Sequence, residues 1–227
     1  MSPLKGFFNS SVARKFWMAI TGLFLVTFLL VHLAVNLVMF AGQDAFNLAT
    51  HFMATNPLIQ VMQYVLAAGF IVHIWMGIKL TLQNRAARPI KYAYENAAAS
   101  STWASRNMIY SGGLVLVFLV IHMRNFFYHM KFTENVGTYN LDGVVMHNDF
   151  ELVTGLFGIW YYVVIYVLAF IALGLHLNHG FQSAFQSAGW KNSNWKGLMQ
   201  TMGTAFSAII AVGFSAIAIY FFFNPAQ

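Results

Sequence analysis

The sequence predicts an all-α fold, an integral membrane bundle of five transmembrane helices. Of 227 residues, 59% are hydrophobic and only 8% are charged, against about 25% charged in an average soluble domain. The mean hydropathy is +0.63. All eighteen charges, twelve Lys and Arg with six Asp and Glu, fall at or between five long apolar runs. At 25.5 kDa there is room for one bundle of about five spans of 20 to 25 residues, hence a single domain over 1–227 and no separate soluble one.

The spans follow from the charges that bound them. The first is expected over about 16–41, after Arg14 and Lys15, and its length and lack of a small-residue cleavage site argue against a removed leader. The second, about 58–82, starts after Pro57, a residue suited to a first helical turn. The third, about 108–127, is entered from Arg106 and has Arg124 in its last turns; the fourth is about 152–179; the fifth, about 198–223, ends before Pro225. Between the first two, Phe46, Ala49, Phe52 and Met53 recur at helical spacing and predict a short interfacial helix. The stretch 130–150 is polar, with Gly137, Asn140 and Gly143 as turn signals. No internal repeat stands out along the chain.

Alternate connections differ in charge. The N-terminus and the second and fourth connections hold ten basic residues: Lys5, Arg14, Lys15, Lys79, Arg85, Arg88, Lys91, Arg106, Lys191 and Lys196. The other two hold only Arg124 and Lys131 among five acids. The positive-inside rule then sets the N-terminus in the cytoplasm and, after five spans, the C-terminus outside. The net charge of +6 is therefore a topology signal and no sign of nucleic-acid binding. With no cysteine in the chain, disulfides, iron–sulfur ligation and thiolate zinc sites are excluded.

Four apolar runs each carry a histidine: His32, His73, His122 and His176. An ionisable group inside a span is costly and marks function by default, although a transmembrane histidine also serves as a helix-packing hydrogen bonder. Depth sorts the four. His32 lies 17 residues beyond Lys15 and His122 lies 16 beyond Arg106, so both sit roughly 25 Å from the cytoplasmic face at about 1.5 Å per residue. His73, 16 residues beyond Pro57, and His176, 25 beyond Glu151, enter from outside and approach the inner half. Two pairs at two depths suit two bis-histidine haems, one facing each aqueous phase. Gly69 and Gly77 flank His73 at four-residue spacing, leaving backbone on which a flat macrocycle could lie.

Haem propionates would need cationic partners at the interfaces: Arg14, Lys15, Arg85 and Arg88 inside, Arg124 outside. At the outer face the polar candidates for binding a redox partner are Asp44, Asn47, His51 and His129. His51 is preferred, because a neutral imidazole can accept a hydrogen bond and relay a proton near neutral pH.

Two stretches carry a family likeness: Ala45-Phe-Asn-Leu-Ala-Thr-His-Phe-Met53 before the second span, and His176-Leu-Asn-His-Gly180-Phe-Gln-Ser-Ala-Phe185 closing the fourth. With them the chain resembles, over nearly its whole length, the five-helix di-haem cytochrome b membrane anchor of succinate dehydrogenase and fumarate reductase. The resemblance selects His176, four residues before a glycine, over His179, and places the other ligands at His32, His73 and His122. It implies two haems b and a quinone, usually menaquinone, for which Asp44, Asn47, His51 and His129 are then the candidates. It also implies a flavoprotein subunit with FAD that holds the dicarboxylate site, an iron–sulfur subunit, and the cytoplasmic membrane of a bacterium. In some fumarate reductases of this type a carboxylate two residues before the fourth ligand serves a proton route; Gly174 stands there in this chain. Two alternative functions are the cytochrome b anchor of another respiratory oxidoreductase and a haem-free proton or ion carrier working through its histidines.

Overall fold

The computed structural model describes residues 10–87, 106–133, 136–187, 189 and 195–225. Helix α1, Ser11–Leu37, opens on Ser10, whose side chain accepts a hydrogen bond from the Ala13 amide, and runs into a 3₁₀ turn, Val38–Ala41. Gly42, at φ 103°, redirects the chain into α2, Gln43–Thr55. This is the expected short helix, though Phe46 and Asn47 form its buried face while Phe52 points outward. Helix α3, Pro57–Ala86, is capped by Asn56, whose side chain accepts from the Leu58 and Ile59 amides just where proline removes another donor.

Helix α4, Met108–His122, passes through a π turn, Met123–Phe127, into a last short helix, α5, Tyr128–Phe132. The polar stretch after it folds as a hairpin of β1, Thr138–Leu141, and β2, Val144–His147. Its two-residue turn has Asp142 and Gly143 both at positive φ, 51° and 88°, the arrangement that matches strand twist.

The fourth apolar run is broken. Asn148 caps α6, Asp149–Phe157, with its side chain on the Glu151 amide, and the chain bends at Gly158 and Ile159 before α7, Trp160–Ser187. The fourth span is thus Trp160–Ser187 rather than 152–179. The break is inconspicuous in sequence because no charge accompanies it. Helix α8, Lys196–Phe223, completes the chain.

Among the described residues five helices, α1, α3, α4 with its π and α5 extension, α7 and α8, are long and apolar enough to cross a membrane. The protein is a helical, multi-pass membrane bundle. Helix α7 is its hub and packs on α8, α1 and α4, while α3 leans mainly on α1. The core is a column of Leu33, Tyr166, Phe170, Leu173, Phe214 and their neighbours. Close helix approach is set by small residues: a Cβ at Gly213 would lie 2.9 Å from Leu33, and one at Gly174 would lie 3.1 Å from Ala211. Gly174 is therefore a close-packing position against α8, where any side chain would press on Ala211. The two ends of the bundle are distinct, a basic end with Arg14, Lys15 and Arg85 and a hairpin end with α2, the hairpin and α6.

Candidate functional site

The four span histidines meet in two pairs. His32 of α1 faces His122 of α4 toward the hairpin end, with ring centroids 5.8 Å apart and planes at 88°. His73 of α3 faces His176 of α7 nearer the basic end, with centroids 6.4 Å apart and planes at 77°. The second pair is level for a simple reason. His73 lies 16 residues beyond Pro57 and His176 lies 16 beyond Trp160, the first residues of their helices (73−57 and 176−160), so equal rise brings both to one height.

The pairs fit axial ligation of a haem. Two metal–nitrogen bonds of about 2 Å, with half an imidazole at each end, separate ring centres by roughly 6 Å. Among the described residues no third His, Cys, Asp or Glu joins either pair, so each pair would offer two imidazoles and no further ligating side chain. No group among the described residues hydrogen-bonds to Nε2 of any of the four, whereas Nδ1 is held at both members of the second pair.

The surroundings of the two pairs differ. The hairpin-end pair is boxed by rings: Phe28 stacks on His32 at 5.3 Å, Phe214 lies 5.5 Å from it, and Phe118 and Phe126 lie 5.7 and 5.2 Å from His122. His122 Nδ1 is buried without a hydrogen bond, and His32 Nδ1 has only the Asn36 side-chain amide 3.5 Å away. The basic-end pair instead meets hydroxyls and bare backbone. Nδ1 of His73 lies 3.4 Å from Thr21 Oγ1, and Nδ1 of His176 lies 3.4 Å from Ser111 Oγ. The residues after these hydroxyls are Gly22 and Gly112, where a Cβ would sit 3.5 and 3.3 Å from the Cε1 of His73 and His176. The glycines expected to lie open beside His73 are filled by side chains of α1, Gly69 by the Phe24 ring and Gly77 by the Met18 methyl.

At the basic end, Arg14 donates to Gln83 Oε1 at 2.8 Å, tying α1 to α3, while Lys15 and Arg85 are exposed and Arg88 lies outside the described residues. At the hairpin end a cavity of about 750 Å³ opens between the π turn, the segment Val136-Gly137 that leads into the hairpin, and α6, lined by Arg124, Asn125, His129, Asn148, Glu151, Tyr162 and their neighbours. The Arg124 guanidinium lies 2.8 Å from His129 Nε2 and 4.7 Å from the centre of the Tyr128 ring. The π turn begins one residue after His122, so the cavity and the imidazole pair share one helix. Such turns recur at functional sites.

The other hairpin-end candidates sit elsewhere. His51 lies on α2 and does not line the cavity. Asp44 accepts a hydrogen bond from the Tyr139 hydroxyl. Asn47 is fully buried; its oxygen accepts from the Phe150 amide at 2.9 Å and its nitrogen donates to Asn148 Oδ1 at 3.1 Å. Gln43 donates to the same oxygen, and Asn148 donates to Glu151 at 2.7 Å. This network clamps α2 onto α6 beneath the cavity.

Asp149 is buried beside this clamp, with Oδ1 lacking a hydrogen bond. Burial raises its carboxyl above the ordinary 3.8, against the lowering pull of Thr50, His147 and Lys131. The folded state therefore holds this proton more tightly than the unfolded chain. Stability should fall as pH rises from about 3.8 through the raised folded value, and level off above it. Thermal melting of detergent-solubilised protein across this range, compared with Asp149→Asn, checks the sign: the variant's profile should be flatter.

Sequence reasoning missed Thr21, Gly22, Ser111 and Gly112. A signal was present, since each is a small hydroxyl-glycine pair within a span of bulky residues. Compared with models of known protein families, with characterised proteins and with solved structures, the chain finds no match.

Proposed function

We propose that this chain is a di-haem cytochrome b of the bacterial cytoplasmic membrane, the anchor of a succinate:quinone oxidoreductase that passes electrons between an iron–sulfur partner and a membrane quinone, menaquinone in the family it resembles. The observation that carries the reading is the meeting of four histidines from four helices as two pairs, with centroid separations of 5.8 and 6.4 Å. A haem held by two imidazoles would supply one-electron transfer and would offer no open position for oxygen or substrate.

The chain's own residues would divide the work. His32 and His122 would hold one haem, His73 and His176 the other, with the helices keeping the two layers apart along the membrane normal. The positive-inside reading turns the basic end to the cytoplasm. There Arg14, Lys15 and Arg85 are placed to meet propionates or an acidic surface of the iron–sulfur subunit, beyond which the flavoprotein with FAD would complete the enzyme. At the other end, the cavity beside the π turn is large enough for a quinone headgroup. Arg124 is placed to hold a carbonyl oxygen by charge-assisted donation. His129 and Glu151 are placed to exchange protons with the aqueous phase.

Purification of the native complex, with a pyridine haemochrome assay and identification of its subunits, tests the reading. Two haems b per chain, with flavin and iron–sulfur subunits, are expected; a colourless chain would leave a histidine-based carrier, and different partners another respiratory enzyme. For the quinone cavity, His129→Ala should slow quinone reduction or quinol oxidation about tenfold or more, within the range of general acid–base effects, and leave both haem spectra intact. His51→Ala, outside the cavity, should change the rate little. The reverse result would move the quinone onto α2.

A further inference from the structure

Helices α1 and α4 carry the same device at the same spacing. In α1 it reads Thr21-Gly22 through Phe28 to His32; in α4 it reads Ser111-Gly112 through Phe118 to His122. Hydroxyl and imidazole are eleven residues apart in both (32−21 and 122−111), about three turns, which puts them on one helix face about 16 Å apart along the axis. Each helix thus offers an imidazole to the hairpin-end pair and a hydroxyl to the basic-end pair.

The hydroxyl's own proton is already committed. Thr21 Oγ1 donates to the carbonyls of Trp17 at 2.9 Å and Met18 at 3.2 Å. Ser111 Oγ donates to the carbonyl of Met108 at 3.1 Å. With that proton turned to a backbone carbonyl, each oxygen meets His73 or His176 as an acceptor, an arrangement that favours the proton on Nδ1 of each ring. That tautomer leaves Nε2 bare. The adjacent Gly22 and Gly112 let each ring approach the hydroxyl-bearing helix.

We infer that Thr21 and Ser111 are matched positioning residues: each fixes one basic-end imidazole, His73 or His176, as the Nδ1–H tautomer with Nε2 free for the metal, and by accepting that proton makes the ring a more electron-donating ligand. This rests on the di-haem reading. It is specific to one pair, because among the described residues His122 Nδ1 has no hydrogen-bond partner and His32 Nδ1 meets an amide of its own helix, Asn36, rather than a hydroxyl from a neighbour. The partners of metal-bound histidines commonly set tautomer, ring angle and ligand basicity, and here the hydroxyls come from neighbouring helices rather than from the histidine's own.

The test uses the purified complex carrying Thr21→Val, Thr21→Ser, Ser111→Ala or Ser111→Thr. Redox titration follows the two haem couples, with His73→Ala identifying the couple that belongs to the hairpin-end haem. Losing the acceptor weakens donation to iron and favours the reduced state. The basic-end midpoint should therefore rise in Thr21→Val and Ser111→Ala by a threefold to tenfold change in the reduced-to-oxidised ratio, tenfold being 59 mV for one electron. The other couple should stay in place, and Thr21→Ser and Ser111→Thr should restore the wild-type value. If Thr21→Val instead loses the basic-end haem, retention in Thr21→Ser upholds the role and loss in both overturns it. Full haem content with unchanged midpoints in Thr21→Val and Ser111→Ala also overturns it. Wild-type protein without haem would refute the di-haem reading itself, a different outcome from either.

Discussion

His176→Ala should yield a protein that carries one haem instead of two and titrates as a single redox couple, the hairpin-end one. The expectation follows from the pairing of His176 with His73 at 6.4 Å and from what a replacement ligand would require. His179 is the nearest other histidine on α7. Three residues further along, it is displaced by about 4.5 Å and about 60° around the axis, so its imidazole cannot take the same height opposite His73. His73→Ala should give the same spectrum, and His32→Ala or His122→Ala the complementary one. A loss of folded-state stability accompanies each, because a ligand that binds only the folded chain stabilises it. Pyridine haemochrome content per protein reads the stoichiometry directly. Two haems retained in His176→Ala with His179 intact would end the ligand assignment.

That pairing is legible in the sequence to an unusual degree, for a physical reason. A spanning helix has a fixed rise and its ends are marked by charges, so a count of residues becomes a depth. Counting from Glu151 sets His176 25 residues along, whereas its helix starts at Trp160. Both starting points leave it toward the basic end. The break at Gly158 leaves no mark in the sequence because the run from Leu152 to Trp160 contains no charge, and a helix that bends at an interface keeps the same apolar composition.

Contacts between helices were less legible. Depth says which side chains share a layer, but which helices are neighbours depends on packing that no single span encodes. Gly69 shows this: a glycine beside a candidate ligand suggested open backbone, and the neighbouring helix fills it with Phe24. Thr21 and Ser111 show the converse, since neither flanks a histidine in a way that identifies the ring it serves. Only the juxtaposition of α1 with α3, and of α4 with α7, assigns the hydroxyls.

Asn47 separates an architectural role from a quinone-binding one, and the two roles predict opposite results. Asn47→Leu preserves approximate size while removing both polar groups, leaving the Phe150 amide without its acceptor and withdrawing one donor from Asn148 Oδ1. A buried group stranded in this way costs about 1–3 kcal/mol. Asn148 retains Gln43, so most of the penalty falls on the amide, and a net loss of about 2 kcal/mol is expected. The clamp between α2 and α6 would loosen: the melting temperature in detergent should fall by several degrees, and α2 should become more susceptible to proteolysis. Below that temperature both haem spectra and the quinone reaction should remain near wild type, because Asn47 does not line the cavity. Unchanged melting together with a lost quinone reaction would reverse the assignment, placing the quinone against α2 and making Asn47 one of its hydrogen-bonding partners.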